Sequence, residues 1–282
     1  MLAIIGGTGL YSIDGVEIVG EKTLETPFGS ASDVITHAKY GDRDILFLPR
    51  HGKKHSILPH EVNYRANIWA LKKSGVTKIL SVSAIGSLQQ ELAPGDIVIA
   101  NQYFDHIKGN RVKTFFGDGI VAHISSAEPV CKELASVVKK SSDGVDVKLH
   151  EEKIYACVDG PRLGTKAESF FLKNAVKADV VGMTNVPEVF LAREAQICYC
   201  TIGIVTDYDC WQDEPETYVS LSQVMQRYGK SIVKVKEILN NILSVDVADN
   251  NCGCRISLQD AVVTPYDTLS DEKKELLNLL RV

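Results

Sequence analysis

Residues 2–9 read Leu-Ala-Ile-Ile-Gly-Gly-Thr-Gly, four apolar residues that run straight into a glycine-rich turn. A run of that length and composition suits a strand covered on both faces, and the glycines let the chain turn sharply at its end. The pattern returns along the chain. Predicted strands are Leu2–Ile5, Asp44–Leu48, Lys78–Val82, Asp96–Ala100, Ile154–Val158, Asp179–Gly182 and Cys198–Val205, several of them almost wholly apolar and rich in Ile and Val. Amphipathic stretches alternate with them, which argues for an α/β fold.

The spacing of Val62, Ala66, Trp69 and Ala70 predicts a helix over Glu61–Ser74, closed by Gly75. Pro187 suits the first turn of a second helix running to about Gln196. Val224, Tyr228, Ile232, Val235 and Leu239 recur at helical spacing and predict a third over Leu221–Leu243. Val245–Thr264 then reads as a loop or tail. Ser270 caps a terminal helix whose Leu276, Leu277, Leu279 and Leu280 must dock on the body or on a partner subunit. The expected organisation is one domain over residues 1–245, followed by a tail over 246–282.

The 282-residue chain is 45% hydrophobic and 24% charged, an ordinary globular composition. A net charge of −5 gives no global attraction for nucleic acid or acidic membranes, so an anionic ligand needs a local site. The N-terminus lacks the basic leader and cleavage site of a signal peptide, and no stretch has the uninterrupted apolar length of a membrane-spanning helix. A cytoplasmic location is the expectation. Of seven cysteines, Cys131, Cys157, Cys198, Cys200 and Cys210 sit in apolar surroundings and read as reduced core residues. Cys252-Gly253-Cys254 lies in a polar run, as a local disulfide or as two surface thiols. A metal at that pair needs two further ligands that the neighbouring sequence does not supply, so no metal is expected.

Four predicted strand ends deliver groups that suit phosphate, and ligands of α/β sheets collect at such ends. The Gly6-Gly7-Thr8-Gly9 turn offers backbone N–H groups and the Thr8 hydroxyl. Its third glycine would fall at Ser12, so it is not a dinucleotide fingerprint, and no Gly-Lys-Ser/Thr follows to make a P-loop. Phe47-Leu48-Pro49-Arg50-His51-Gly52 delivers a guanidinium fork and an imidazole. Ser83 and Ala84 lie in Ser81–Ser87, and Thr184 ends Val181-Gly182-Met183-Thr184. A lone Ser or Thr at a strand end usually does no more than form a turn. The coincidence of four ends is the signal.

In order and spacing, the stretches IIGGTGL (4–10), TPFG (26–29), PRHG (49–52), VNYRANIWALK (62–72), SVSAIGS (81–87), PGDIV (94–98), AEP (127–129), GPR (160–162), GMTNVPE (182–188) and TDYDCW (206–211) resemble the purine nucleoside phosphorylase/methylthioadenosine phosphorylase family, in its methylthioadenosine branch. The resemblance implies a mixed, distorted central sheet flanked by helices, and trimers or hexamers built on trimers. It implies a phosphate site of Thr8, Arg50, His51, Ser83, Ala84 and Thr184, with Ala84 and Met183 against the ribose. Ser83 stands where many relatives carry Thr, and the hydroxyl is kept. Inorganic phosphate is then a co-substrate, and no organic cofactor is implied.

The same resemblance turns Thr206-Asp207-Tyr208-Asp209 from a solvated loop into the base site. Adenine presents an amino donor beside the acceptor N7, so Asp207 is read as the general acid at N7 and Asp209 as the acceptor for the amino group, with Tyr208 between them. Branches that take 6-oxopurines carry Glu and Asn where this chain has Gly164 and Asp207. For Asp207 to hold a proton near neutral pH, burial or the charge of Asp209 must raise its pKa. Relatives usually read GPRF followed by Ser, whereas here Leu163 and Gly164 follow Arg162. Leu163 packs on the base without a ring. Leu221 and Val224 match an apolar pocket for a 5′-methylthio group, though such positions on a helix are more often core. His123 matches a histidine that enters this end of the site from a neighbouring subunit. His55 and His60 read as ordinary loop residues. Competing readings are phosphorolysis of inosine or methylthioinosine, hydrolysis without phosphate, and a non-catalytic nucleoside-binding protein; the missing third glycine disfavours a nicotinamide-dependent oxidoreductase.

Overall fold

Nine strands form one mixed sheet: β1 (Leu2–Gly6), β2 (Val16–Lys22), β3 (Ile35–Tyr40), β4 (Arg43–Pro49), β5 (Lys78–Ser87), β6 (Ile97–Asp105), β7 (Leu149–Cys157), β8 (Val180–Gly182) and β9 (Cys198–Asp207). The structure, a computed structural model, describes residues 1–7, 9–10, 13–212, 220–245, 247 and 252–281. The strand order is β2-β3-β4-β1-β5-β8-β7-β6-β9, and β9 returns to pair with β5. Five strands, β5, β8, β7, β6 and β9, therefore close on themselves, while β1, β4, β3 and β2 extend outward as a wing. Closure removes the edges of the inner strands, and every residue of β9 is buried.

β5 is the strand on which the sheet divides. Its first half, Lys78–Ser81, pairs in parallel with Leu2–Ile5 of β1. Its last two residues pair on that side with β8 instead, Gly86 with Val181 and Ser87 with Val180. Between these partners the ladder is open on that side over residues 82–85. The opening lies at the carboxyl ends of β1, β4 and β5, the location that collects ligands in sheets of this kind. All the strands predicted from apolar runs are present. The wing strand β2 escapes that reading because most of it is exposed, with Ile18 60% exposed, while β3 went unpredicted although Ile35, Thr36 and Ala38 are buried.

Helices cover both faces. On one side lie α1 (Tyr64–Lys73), α4 (Asn185–Glu194) and α6 (Asp271–Arg281); on the other, α2 (Lys132–Ser142) packs beside α5 (Leu221–Ser244). A short α3 (Lys166–Phe170) continues into a π-helical turn over Phe171–Val176. The first helix begins three residues later than its apolar spacing predicts. Asn63 caps it by accepting from the Ala66 N–H, while the Glu61 carboxylate is held in the preceding turn by the Leu58 N–H. In α4, Val186 is extended, so regular helix begins at Pro187 as the sequence predicts. Neither α2 nor α3 was predicted.

The tail is more ordered than its polar sequence predicts. It makes a 3₁₀ turn at Gly253–Ile256, buries Leu258, and bridges Val262 to Ala122. The terminal helix docks on the body: Leu277 and Leu280 are fully buried, and the Gln196 side chain donates to the Arg281 carbonyl. All seven cysteines are thiols. Cys254 is buried beside Cys131 and Cys198, which corrects both the local-disulfide and the surface-thiol readings of Cys252-Gly253-Cys254.

Candidate active site

The opening beside β5 is lined at one end by Arg50, His51, Ser83 and Thr184. Arg50 follows directly on β4, and its N–H donates to the Gly6 carbonyl, which fixes it beside the turn after β1. Its side chain is only 2% exposed. Nε and Nη2 donate to the two carboxylate oxygens of Glu188 at 2.7 and 2.8 Å, Nη2 donates also to Ser81 at 2.6 Å, and Nη1 donates to the Val82 carbonyl at 3.1 Å. Four of the five guanidinium N–H groups are thus committed within the protein. The remaining one, on Nη1, is what Arg50 has to offer a ligand. This differs from the forked, bidentate grip on phosphate that the sequence suggested.

Glu188 accepts from Arg50, from the Ser81 hydroxyl at 2.7 Å and from the Tyr199 hydroxyl at 2.8 Å. Burial alone would push its carboxyl up. The Arg50 guanidinium and these bonds outweigh burial and hold it below the usual carboxylate range. Asn185, at the start of α4, donates to Ser81, Tyr199 and Thr201 and accepts from the Ser83 hydroxyl at 3.0 Å. Glu188 and Asn185 lie inside the quoted GMTNVPE stretch, yet the sequence analysis assigns them no role, because their partners stand just after β4 and on β5 and β9.

His51 is half-buried and its ring faces His55, with centroids 4.8 Å apart. Burial first, and then the Arg50 charge, lower its pKa to about 4. It is neutral at physiological pH, with Nδ1–H donating to the Ile57 carbonyl at 2.8 Å. Nε2 is then an acceptor. It can accept a hydrogen bond from the P–OH of a hydrogenphosphate. Ser83 and Thr184 are both nearly buried, whereas Ala84 is exposed at the open part of β5. Thr8 lies outside the described residues. Beside it, Gly9 has φ +106°, and the Tyr228 hydroxyl of α5 would lie 3.4 Å from a Cβ on Gly7, so α5 passes over this turn.

At the other end of the opening, Gly86 of β5 is in register with Asp207 at the end of β9. Asp207 Oδ1 accepts from the Asp209 N–H at 2.8 Å and Oδ2 from the Thr206 hydroxyl at 2.7 Å. The first bond closes an Asx-turn, with Asp209 in the left-handed region at φ +51°. The Asp207 carboxylate and the Asp209 Cβ both lie against Gly86, where an added Cβ would stand 2.9 Å from Asp207 Oδ1 and 3.4 Å from Asp209 Cβ. Both aspartates are also over nine-tenths buried, and burial raises the pKa of each. For Asp207 burial leads, the Thr206 and Asp209 bonds pull the other way, and the Asp209 charge adds a smaller push upward.

Gly164 lies against Asp209, since a Cβ there would come within 3.8 Å of Oδ1. The GPR segment is anchored by a two-pronged pair from Arg162 to Glu168, which also closes the capping box of α3 with Thr165. Leu163 is 48% exposed beside it. Met183 sits against Gly160, and Arg111 fixes the backbone around it by donating to the carbonyls of Met183, Val186 and Asp159. Arg111 was missed from the sequence. Tyr208 is not brought to the carboxylates: its hydroxyl donates to the Gln90 carbonyl and its ring meets Trp211 edge-on. Leu221 is 74% exposed and Val224 half-buried, so the core reading does not hold for Leu221. His123 is exposed, and its N–H donates to Ala261 of the tail rather than linking it to the strand ends.

From Ser83 to Gly86 the strand rises about 10 Å. The groups beside Ser83 that suit an anion and the paired acids beside Gly86 therefore lie along one strand, separated by the span of a purine with its ribose.

Among relatives, the chain is 45% identical over 260 residues to the S-methyl-5′-thioadenosine phosphorylase of Nitrosopumilus maritimus, covering 92% of this chain and 97% of that one. It is 41% identical over 280 residues to the enzyme of that name from Geobacter sulfurreducens, covering 99% and 97%. A methylthioadenosine phosphorylase from an Antarctic soil metagenomic library superposes with a TM-score of 0.91 at 40% identity, covering 99% of this chain and 98% of that one. A Schistosoma mansoni methylthioadenosine phosphorylase solved with adenine superposes at 0.81 and 40% identity, covering 86% and 90%. Residues 1–244 match the phosphorylase superfamily, and to that family the chain belongs.

Proposed function

We propose that this chain cleaves S-methyl-5′-thioadenosine with inorganic phosphate, giving adenine and 5-methylthioribose 1-phosphate. It is a pentosyltransferase of the purine nucleoside phosphorylase type. The observation that carries the substrate reading is the buried pair Asp207 and Asp209, both raised in pKa, at the far end of the opening from Arg50.

Phosphate binds among the turn after β1, with Thr8, the remaining Arg50 N–H, the Ser83 and Thr184 hydroxyls, and His51 Nε2. Ala84 and Met183 border the ribose, and Leu163 and Gly164 border the base. Asp207, its pKa raised by burial, hands its proton to N7 as the C1′–N9 bond lengthens, while Asp209 accepts from the exocyclic amino group. Adenine leaves neutral. The sugar gains oxocarbenium character, which the phosphate stabilises and then captures at C1′. No metal or organic cofactor takes part in these steps. The 5′-methylthio group meets Leu221 and Val224 of α5, joined by His123 from a neighbouring copy in a homotrimer or a hexamer of trimers. The exposed apolar residues Leu221, Met225 and Val233 of α5 support a partner on that side. A cytoplasmic location belongs to the same proposal; no helix of the described residues is long and apolar enough to cross a membrane.

The test is an assay of purified enzyme with methylthioadenosine, adenosine and inosine, each with and without phosphate, following free base. Phosphate-dependent release of adenine, fastest from methylthioadenosine, is expected. Release without phosphate would make the chain a hydrolase, and a preference for inosine would overturn the base assignment.

A further inference from the structure

The tail brings two sulfurs to a place where the body already holds two. Cys131 is the N-cap of α2, and its N–H donates to the Tyr199 carbonyl, which draws it beside Cys198 at the start of β9. Cys252 and Cys254 flank the entry to the 3₁₀ turn of the tail. The four Sγ atoms all lie within 4.8 Å of one another, with Cys198 and Cys252 at 3.2 Å. Cys131, Cys198 and Cys254 are buried, Cys252 is half-buried, and all four are unbonded thiols. The two further ligands that the neighbouring sequence lacked come from distant parts of the chain.

We propose that Cys131, Cys198, Cys252 and Cys254 form a structural zinc site that clamps the C-terminal tail to the body. A tetrahedral zinc tetrathiolate has bonds of about 2.3 Å, so its sulfurs stand about 3.8 Å apart. The observed cluster is of that size. An iron–sulfur cluster, with sulfides bridging several irons between the thiolates, needs more room. Two disulfides would sort the sulfurs into pairs at about 2 Å, whereas here every sulfur is near every other.

The surroundings suit the charge. Four thiolates on one divalent zinc leave a net charge of −2. Arg193 points Nη1–H at Cys254 Sγ from 3.9 Å, and the Cys131 sulfur sits at the positive end of α2. Zinc enters as the aqueous dication, and the displaced thiol protons pass to solvent. With four protein ligands no coordination position stays open, so the site is structural and separate from the phosphorolysis. Its mechanical effect is on the tail. Beyond Cys254 the chain buries Leu258 and pairs with the loop carrying His123, through Ala261 and Val262.

The experiment is elemental analysis of the full chain, purified without chelator and dialysed against metal-free buffer, with thiol counting and mass spectrometry on the same sample. About one zinc per chain is expected, falling to under about a tenth in a C252S/C254S variant. Exchange for cobalt should give the intense thiolate-to-metal bands of a tetrahedral tetrathiolate site. Chelation of the wild-type protein should speed proteolytic cleavage of the tail. The proposal is overturned if the wild-type chain carries no zinc and yields four reactive thiols, if it carries iron instead, or if peptide mapping finds any of the four in a disulfide. The wild-type measurements hold even where the variant fails to fold.

Discussion

Replacing Asp207 by Asn removes one titrating proton and keeps the outline of the side chain. The retained oxygen goes on accepting from the Asp209 N–H, now made at 2.8 Å. The new amide nitrogen faces Thr206 Oγ1, which can turn its own proton toward the Ile85 carbonyl 3.3 Å away and accept instead. Both local bonds survive, so the Asx-turn and the fold survive with them. What is lost is an acid able to deliver its proton to N7. Losing a positioned general acid costs on the order of 10²–10⁴ in kcat, or about 3–5 kcal/mol of barrier. Single-turnover release of adenine from methylthioadenosine at saturating phosphate measures it. The stability of the variant moves the other way. Burial raises Asp207 in the folded state, so the folded protein holds this proton longer than the unfolded chain. Wild-type stability therefore falls as pH rises from the ordinary Asp range through the raised folded value, and Asn has no such proton to lose. Thermal melts at pH 8 should find the variant at least as stable as wild type. Near-wild-type turnover in a folded D207N protein would refute the acid assignment. A collapse in stability would refute the reading that burial, rather than charge pairing, sets the pKa of Asp207.

Gly86→Ala places a Cβ 2.9 Å from Asp207 Oδ1 and 3.2 Å from Val181 Cγ1; overpacking of about 1–3 kcal/mol and a lower kcat with little change in phosphate KM are expected, read by denaturation and initial rates. Leu163→Phe supplies a ring to stack on the base, worth about 0.5–1.5 kcal/mol, and should lower the Ki of adenine severalfold; an unchanged Ki would place Leu163 away from the base. His51 titrates at about 4 when folded and near 6.5 when unfolded, so its contribution to stability is fully present above pH 6.5. It is lost as pH falls toward 4, by up to about 3 kcal/mol, and His51→Asn should flatten that limb of a urea-midpoint profile. Glu188→Gln leaves the buried Arg50 charge uncompensated and should destabilise the fold by about 3–5 kcal/mol. The same change should lower the phosphate KM about tenfold, since a nearby carboxylate repels the dianion by on the order of 1–3 kcal/mol at an effective dielectric near 20; a raised KM in folded protein would refute the charge argument.

What could be read from the sequence was local. Apolar runs found the buried strands, because such a strand says so within its own few residues, as in Leu2–Ile5 and Cys198–Val205. The exposed wing strand β2 has no such signature. At the site, Arg50 and His51 were legible because they follow directly on an apolar run, and Ser83 because it is one of four coincident phosphate-compatible groups. Asp207 and Asp209, ordinary turn residues by type, drew their role from the family resemblance. Protonation and partners were not legible. That His51 is neutral follows from burial beside Arg50, and that Arg50 is already paired follows from Glu188, which stands 138 positions later in the chain. The cysteines make the same point. Cys252-Gly253-Cys254 lacks ligands only along the sequence, and the fold places Cys131 and Cys198 within 4.8 Å.

The paired state of Arg50 changes how the phosphate site must work. Within the described residues, its cation is balanced by Glu188 and its imidazole is neutral, so the pocket does not cancel the charge of a bound phosphate. On the proposed reading phosphate is held mainly by hydrogen bonds, from the turn after β1, the hydroxyls of Ser83 and Thr184, and one guanidinium N–H. Such bonds fix position and orientation without drawing off the negative charge. That is an advantage in this reaction. As the base departs, the sugar becomes cationic about 3 Å from the phosphate oxygens, and an unneutralised dianion stabilises that cation more than it stabilises the neutral nucleoside. Only an interaction stronger in the transition state than in the ground state raises kcat. A site with an unpaired arginine would bind phosphate more tightly and spend that charge before the bond breaks. On the proposed reading Glu188 is thus the residue that keeps phosphate available to the sugar, and Asp207, whose pKa burial raises, is its counterpart at the base.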